Sequence, residues 1–361
     1  MKVIHYIVSL GFGGIERLVY DLVTEQKKNS EVSPSIAIAK LKGEFKAEFE
    51  GLNVSLFDLK LNSGFDINPF KIRRIYRLFK KQDIIHLHGF HLSVAIAAIW
   101  SKRKIIYTEH GNFGFGRKHS LSDKLSFWLR RQFFKNKSVS ICCNSKFTEG
   151  YLRTHFYKGK SVKTVYNGVL LDRKVNSSMV NDLKEEYSGK FVVGTSTRLA
   201  GFKRIDRLID VFAIFQKTHQ NAVLIIVGDG PEKENLIQQT KDLNIDDSVV
   251  FKGFQQEVAS FQSAFDVAVF PSQNEPFGLV AVECLKLQKP VLVFNDGGGI
   301  CEIIEMFNPN DICDHKTAMV NRMLFYSEKK FEWDEENDEK LKYFAAERME
   351  KAYFNEYKEV L

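Results

Sequence analysis

Short apolar runs recur along this chain, each followed by a segment of helical periodicity, and that alternation restricts the fold to parallel sheets built from βαβ units. Expected strands in the first half are 3–10, 35–40, 53–57, 84–88, 104–109, 139–144 and 163–166. The pattern restarts with 191–197, 222–227, 249–253, 267–270 and 291–295. Between the two sets, 167–190 is polar and strandless and reads as a linker. A length of 361 residues is about twice what one domain takes. The expected architecture is therefore α/β, with two Rossmann-like domains facing a cleft. Domain 1–168 comes first and 169–340 second, with a terminal helix, 341–361, packing back toward the first domain. The acidic stretch 329–361 suggests a helix pair anchored by Trp333, Tyr343, Phe344, Tyr353 and Phe354.

Charge divides the same way. Residues 1–170 hold 29 Lys+Arg against 13 Asp+Glu, or +16, whereas 171–361 hold 23 against 32, or −9, recovering the net +7. A basic first half suits an anionic partner: a nucleic acid, an acidic substrate or a membrane surface. Five cysteines, with Cys142 and Cys143 adjacent, form no disulfide framework and read as reduced cytosolic thiols. The N-terminus reads as a buried strand without a cleavage site. Apolar runs such as 92–100 reach half the ~18 residues a bilayer requires, so any membrane role is peripheral.

Several strand-to-loop junctions carry chemistry. Leu10-Gly11-Phe12-Gly13-Gly14-Ile15-Glu16 is a glycine turn opening a helix, but Glu16 stands where a dinucleotide fingerprint needs its third glycine. Two readings stay open: bare amides that favour a phosphate, or a tight turn with Glu16 at the helix N-terminus. Gly228-Asp229-Gly230-Pro231 likewise reads as a turn with Pro at a helix start. His86, His88 and His91 lack a nearby Cys or carboxylate at ligand spacing, so no metal site is expected. His110 ends a strand at the sheet's carboxyl edge, where ligands dock in such folds. Glu275 and Glu283 flank a Pro-led helix start whose Phe277, Gly278 and Leu279 amides suit sugar or diphosphate oxygens. Paired carboxylates also fit glycoside hydrolysis. Arg198 and Lys203, just past a strand, suit a pyrophosphate, or a solvated surface patch.

In order, Gly13-Gly14-x-Glu16, His110-Gly111, Asn144-Ser145, Asn167-Gly168-Val169, Arg198 with Lys203, Gly228-Asp229-Gly230-Pro231, Glu275-Pro276-Phe277-Gly278-Leu279 with Glu283, and Gly298-Gly299-x-x-Glu302 resemble glycosyltransferase family 4, the retaining GT-B enzymes of bacterial surface polysaccharides. The sequence departs from the family at Gln288-Lys289, where a glycine is usual, and at Asp296-Gly297, where a Thr commonly precedes the glycine pair.

The resemblance implies a nucleoside diphosphate sugar donor on the second domain, with UDP ahead of GDP. Glu283 would hold the ribose, and Arg198, Lys203 and the amides of Phe277, Gly278 and Leu279 the diphosphate. Glu275 and His110 would contact the sugar, while Gly13 and Gly14 would close over the phosphates. His110, Glu275, Arg198 and Lys203 form the implied catalytic set, with no cofactor and no metal required. The departing phosphate would take the acceptor's proton.

Two basic helices bear on the acceptor. In 71–81, Ile72, Ile75, Tyr76 and Phe79 form one stripe among basic residues, as in a packing helix with a solvated face. In 120–137, Leu121, Leu125, Trp128 and Leu129 make an apolar stripe, while Phe127 and Phe134 lie elsewhere beside Arg130 and Arg131. Phe127, Trp128, Arg130, Arg131 and Phe134 are expected to meet anionic membrane or acceptor. The expected function is retaining transfer to a lipid-linked, lipopolysaccharide or capsule glycan acceptor by a cytoplasmic protein resting on the inner membrane face. Alternatives are a soluble GT-B enzyme, either a small-molecule transferase or a nucleotide-sugar epimerase, and a basic nucleic-acid-binding module. The last is disfavoured because the aromatics form no stacking platform on strands.

Overall fold

In the computed structural model the chain divides into two compact units, Met1–Leu170 with Phe344–Leu361, and Leu171–Tyr343. The structure describes every residue except 12, 63, 65, 112–119, 158, 160, 172–174 and 330. Phe12 of the glycine turn and part of the expected linker thus lie outside the described residues.

The first unit is built on strands β1 (Lys2–Ile7), β2 (Ser33–Ile38), β3 (Ser55–Asp58), β4 (Ile84–Leu87), β5 (Lys104–Glu109), β6 (Val139–Cys143) and β7 (Val162–Thr164). They form one sheet in the order β3-β2-β1-β4-β5-β6-β7, every pairing parallel. Because strand side chains alternate, Ile4, Tyr6, Ile85, Leu87, Ile105 and Tyr107 share a core with the helix Pro69–Phe79. Ile7, Ile36 and Ile38 pack on the opposite face with Val19 and Val23 of the helix Gly14–Gln26. The C-terminal helix Ala346–Val360 packs against that same helix.

The second unit contains β8 (Phe191–Ser196), β9 (Ala222–Val227), β10 (Val249–Gly253), β11 (Val267–Phe270), β12 (Val291–Phe294) and β13 (Ile312–Cys313). Its order is β10-β9-β8-β11-β12-β13, again all parallel. Both sheets are wound alike: the chain moves outward from its first strand, then returns to add strands on the other side. Each therefore has a topological switch point, between β1 and β4 and between β8 and β11, where open α/β sheets leave a crevice beyond the strand ends.

Two expectations change. The helices near the C-terminus do not form a pair: Glu335–Lys342 belongs to the second unit and Ala346–Val360 to the first. The two-residue β13 was not anticipated, being too short for an alternation signal.

The expected outward face of the helix Leu121–Phe134 is also corrected. Phe134 is fully buried against Tyr107 and Tyr157, and Phe127 packs on the same core. Arg130 is buried as well, its Nη1 3.0 Å from Glu109 at the end of β5. Burial disfavours the guanidinium charge, but Glu109 and Tyr107 hold Arg130 above its usual range. Leu121, Leu125 and Trp128 instead face outward, with Lys124 and Arg131 exposed beside them. Apolar residues occupy two faces of this helix, and periodicity cannot choose between them. The buried Glu109 carboxylate does, because it requires a cation.

Candidate functional site

The second unit gathers its expected site residues at the switch point. Leaving β8, residues 197–200 lie against the Gly228-Asp229-Gly230 turn that follows β9, through Leu199 N–H to Asp229 O at 3.0 Å. Gly228 has φ +138°, and a Cβ there would stand 1.9 Å from Thr197 O, while one on Gly230 would stand 2.3 Å from Leu199 O. These glycines permit two backbones to touch, and so hold the loop bearing Arg198 and Lys203.

After β11, residues 273–275 are clamped on both sides. Gln273 N–H donates to Phe202 O at 2.9 Å, Glu275 N–H to Gly297 O at 2.7 Å, and Gly299 N–H to Glu275 O at 2.7 Å. This clamp brings Lys203 Nζ within 2.6 Å of Glu275 Oε2, both side chains being largely buried. The sequence suggested separate contacts for them, and the fold joins them as an ion pair. Arg198 is exposed. Gly278 sits at φ +96° at the N-cap of the helix Leu279–Lys286, with a hypothetical Cβ 2.6 Å from Ile300. Any side chain there would both strain the backbone and clash. Phe277 and Leu279 are buried. Glu283 is half-buried in the same helix.

One element of this site was not legible beforehand. Arg207 Nη1 lies 2.9 Å from both Asp296 oxygens, its guanidinium 3.8 Å above the Phe294 ring, and Gln273 donates to Asp296 at 3.2 Å. This ion pair, with one guanidinium nitrogen shared between both carboxylate oxygens, ties down the loop that clamps Glu275. Arg207 and Asp296 are 89 residues apart, and no local pattern links them.

In the first unit, Gly13 is the extended N-cap of the helix Gly14–Gln26, and both glycines are exposed. Glu16 folds back there: Ser9 Oγ donates to it at 3.0 Å, and burial raises its carboxyl above the usual range despite that bond. Asn167-Gly168-Val169 meets the returning C-terminal segment, Val169 N–H donating to Phe344 O at 2.9 Å. A Cβ on Gly168 would stand 2.4 Å from Ala345 O.

His110, half-buried beyond β5, has Nε2 3.1 Å from His88 Nδ1. The contact continues inward: His88 Nε2 to His5 Nδ1 at 3.0 Å, and His5 Nε2 to Gln26 Oε1 at 2.8 Å. His86 meets Tyr357 Oη at 2.7 Å and Thr108 Oγ1 at 2.8 Å. Desolvation lowers His5 to about 4 and His110 to about 3, and drives His86 and His88 well below the ordinary value. Ring nitrogens of His5, His86 and His88 lie within 4.8 Å of one another. All six nitrogens of these rings already have protein partners, so the cluster is satisfied as a hydrogen-bond network without a cation. His5 was missed in the sequence because β1 and β4 make neighbours of residues 81 positions apart, as His5 pairs with His86.

Residues 12–173 match the family described as Glycosyltransferase Family 4, and residues 182–348 match Glycosyl transferases group 1. The chain is 30% identical over 245 residues to the N-acetyl-alpha-D-glucosaminyl L-malate synthase of Bacillus anthracis, covering 64% of this chain and 61% of that one. It is 26% identical over 264 residues to an Escherichia coli UDP-Gal:alpha-D-GlcNAc-diphosphoundecaprenol alpha-1,3-galactosyltransferase, covering 68% of each. Its fold matches that of Anabaena HepE, solved with UDP and glucose, at a TM-score of 0.81 and 20% identity over 99% of both chains. With both units matched and the same double-sheet architecture present, the chain belongs to the family 4 glycosyltransferases of GT-B fold.

Proposed function

We propose that the protein transfers a sugar, with retention, from a nucleoside diphosphate donor, UDP ahead of GDP, to a lipid-linked or surface-glycan acceptor at the cytoplasmic membrane face. The observation that carries the donor assignment is the clamped loop pair at the β8/β11 switch point. It sets Lys203 and Glu275 2.6 Å apart, near the exposed Arg198 loop and ahead of a helix whose N-cap is Gly278. Arg198 and Lys203 neutralise the diphosphate, the amides from Phe277 to Leu279 receive its oxygens, and Glu283 accepts from the ribose hydroxyls. As the bond from the anomeric carbon to the phosphate oxygen breaks, the acceptor oxygen bonds that carbon, and the acceptor's proton passes to the departing phosphate. No metal or cofactor is needed in this scheme, because the two cations supply the countercharge.

The acceptor class is supported by the outward face of Leu121–Phe134, which offers Leu121, Leu125 and Trp128 at one-turn intervals among exposed basic residues. Such a face suits anionic lipid. Among the described residues, no helix is long and apolar enough to cross a membrane.

A screen of UDP- and GDP-sugars for nucleotide release is the direct test. Glu283→Ala should weaken donor binding about 5- to 150-fold, as ~1–3 kcal/mol of lost hydrogen bonding implies. No release from any donor, or unchanged donor affinity in that variant, defeats the assignment. Flotation with anionic vesicles tests the membrane part: donor turnover without vesicle binding would make this a soluble enzyme.

A further inference from the structure

The line Gln26–His5–His88–His110 has a direction, and one amide sets it. Burial keeps these rings neutral, so each has one N–H donor and one bare acceptor nitrogen. Gln26 presents its carbonyl oxygen to His5 Nε2 at 2.8 Å, so that nitrogen carries the proton and His5 Nδ1 is bare. His88 Nε2, 3.0 Å away, must then donate, which leaves His88 Nδ1 as an acceptor. His110 Nε2, at 3.1 Å, must donate in turn. The remaining nitrogen, His110 Nδ1, is thereby bare and has no partner among the described residues.

The second branch takes its direction from the same amide. The Gln26 amide nitrogen donates to Tyr357 Oη at 3.3 Å, which frees the Tyr357 hydroxyl proton for His86 Nδ1 at 2.7 Å. His86 Nε2 then donates to Thr108 Oγ1 at 2.8 Å, and Thr108 meets Tyr353 Oη at 3.0 Å. A reversed amide would reverse every bond in both branches, so intermediate arrangements leave buried donors facing donors, a costly state.

We propose that Gln26, His5 and His88 are positioning residues that fix His110 as its Nε2–H tautomer, so that Nδ1 is presented as a hydrogen-bond acceptor to a substrate hydroxyl. The proposal rests on the reading of His110 as a substrate contact. An imidazole chooses its protonated nitrogen by the bond the other one makes, and here that choice is relayed through two further rings to an interior amide. Tyr353 and Tyr357, on the C-terminal helix, complete the network, so the segment that returns to the first unit helps set its direction.

The test is a long-range 1H–15N correlation spectrum of the full chain labelled with 15N-histidine at pH 7, with His110 assigned by its loss in His110→Asn. A protonated Nε2 and a bare Nδ1 on His110 are expected, and a protonated Nδ1 overturns the proposal. Gln26→Met removes the orienting amide. It should give a tautomer mixture and a roughly tenfold fall in transfer with UDP affinity unchanged, the worth of one hydrogen bond. An unchanged single tautomer in Gln26→Met also overturns the proposal, and if that variant does not fold the wild-type spectrum alone decides. Full transfer by His110→Ala would bring down the substrate-contact reading, which the spectrum does not test, so the two failures are distinguishable.

Discussion

The two units share a winding and carry their expected site residues in the loops that follow their strands, yet they solve the electrostatics in opposite ways. The second unit sets charge at its loops: exposed Arg198, the Lys203–Glu275 pair at 2.6 Å, and the Arg207–Asp296 pair behind them. The first unit, basic by +16 over residues 1–170, runs a neutral network of histidines, tyrosines and Gln26 to its sheet edge. Net charge therefore says little about a site. A region of net −9 carries the proposed phosphate-binding cations, because local groups held by backbone clamps outweigh the average field at contact distance.

The contrast can be broken or sharpened by experiment. The largest effect is expected from Arg130→Met, which strands the Glu109 carboxylate inside the first unit. Chemical denaturation should show a loss of about 3–5 kcal/mol, while UDP affinity stays as it was. A loss below 1 kcal/mol would mean that this pair is not buried as described.

Lys203→Met addresses the second unit. It should cut turnover about 10²–10³-fold, the usual consequence of removing one preorganised group that stabilises developing charge. An undiminished rate would remove Lys203 from the leaving-group site and weaken the contrast at its charged end.

Acid should separate the units. The folded pKa of His5 is depressed from 6.5 to about 4, and that of His110 to about 3. The unfolded chain therefore binds more protons between those values and 6.5. The stability these rings contribute is present in full above about pH 6.5 and is lost as pH falls toward 4, at about 1.4 kcal/mol per pH unit for each ring. Hydrogen-exchange protection factors in β1, β4 and β5, which correct for the slower intrinsic exchange in acid, should fall across that window; equal protection at pH 7 and pH 4.5 would contradict a neutral network.

The smallest stability effect is expected from Trp128→Ala, within about 0.5 kcal/mol because the side chain is exposed. Its signature should be reduced flotation with anionic vesicles. Phe134→Ala, six positions further along the same helix, should instead cost about 3–5 kcal/mol of stability. If the two exchanged effects, the corrected orientation of that helix would be reversed.

Much of the fold was legible because parallel strands buried on both faces read as continuous apolar runs, as in Ala222–Val227. The loops of the proposed donor site left a related signature in glycines at close approaches, such as Gly228, Gly230 and Gly278, whereas Pro276 lies two residues ahead of the Gly278 N-cap rather than at the helix start. The face of Leu121–Phe134 was not, since Phe127 and Trp128 satisfy periodicity equally well and only Glu109, brought in by β5, selects between them. His5 and Gln26 were invisible as members of the line that reaches His110 through His88 for the same cause.

By itself, then, the sequence determined the βαβ alternation, the two-domain division and the chemical types waiting at the strand ends, because these depend on spacing within a few turns or strands. Only the tertiary structure decided which charges pair, which helix face turns inward and which nitrogen of His110 is bare. Those depend on groups such as Lys203 and Glu275, 72 residues apart, meeting at hydrogen-bond distance across separate loops, where a fraction of an ångström fixes the energy.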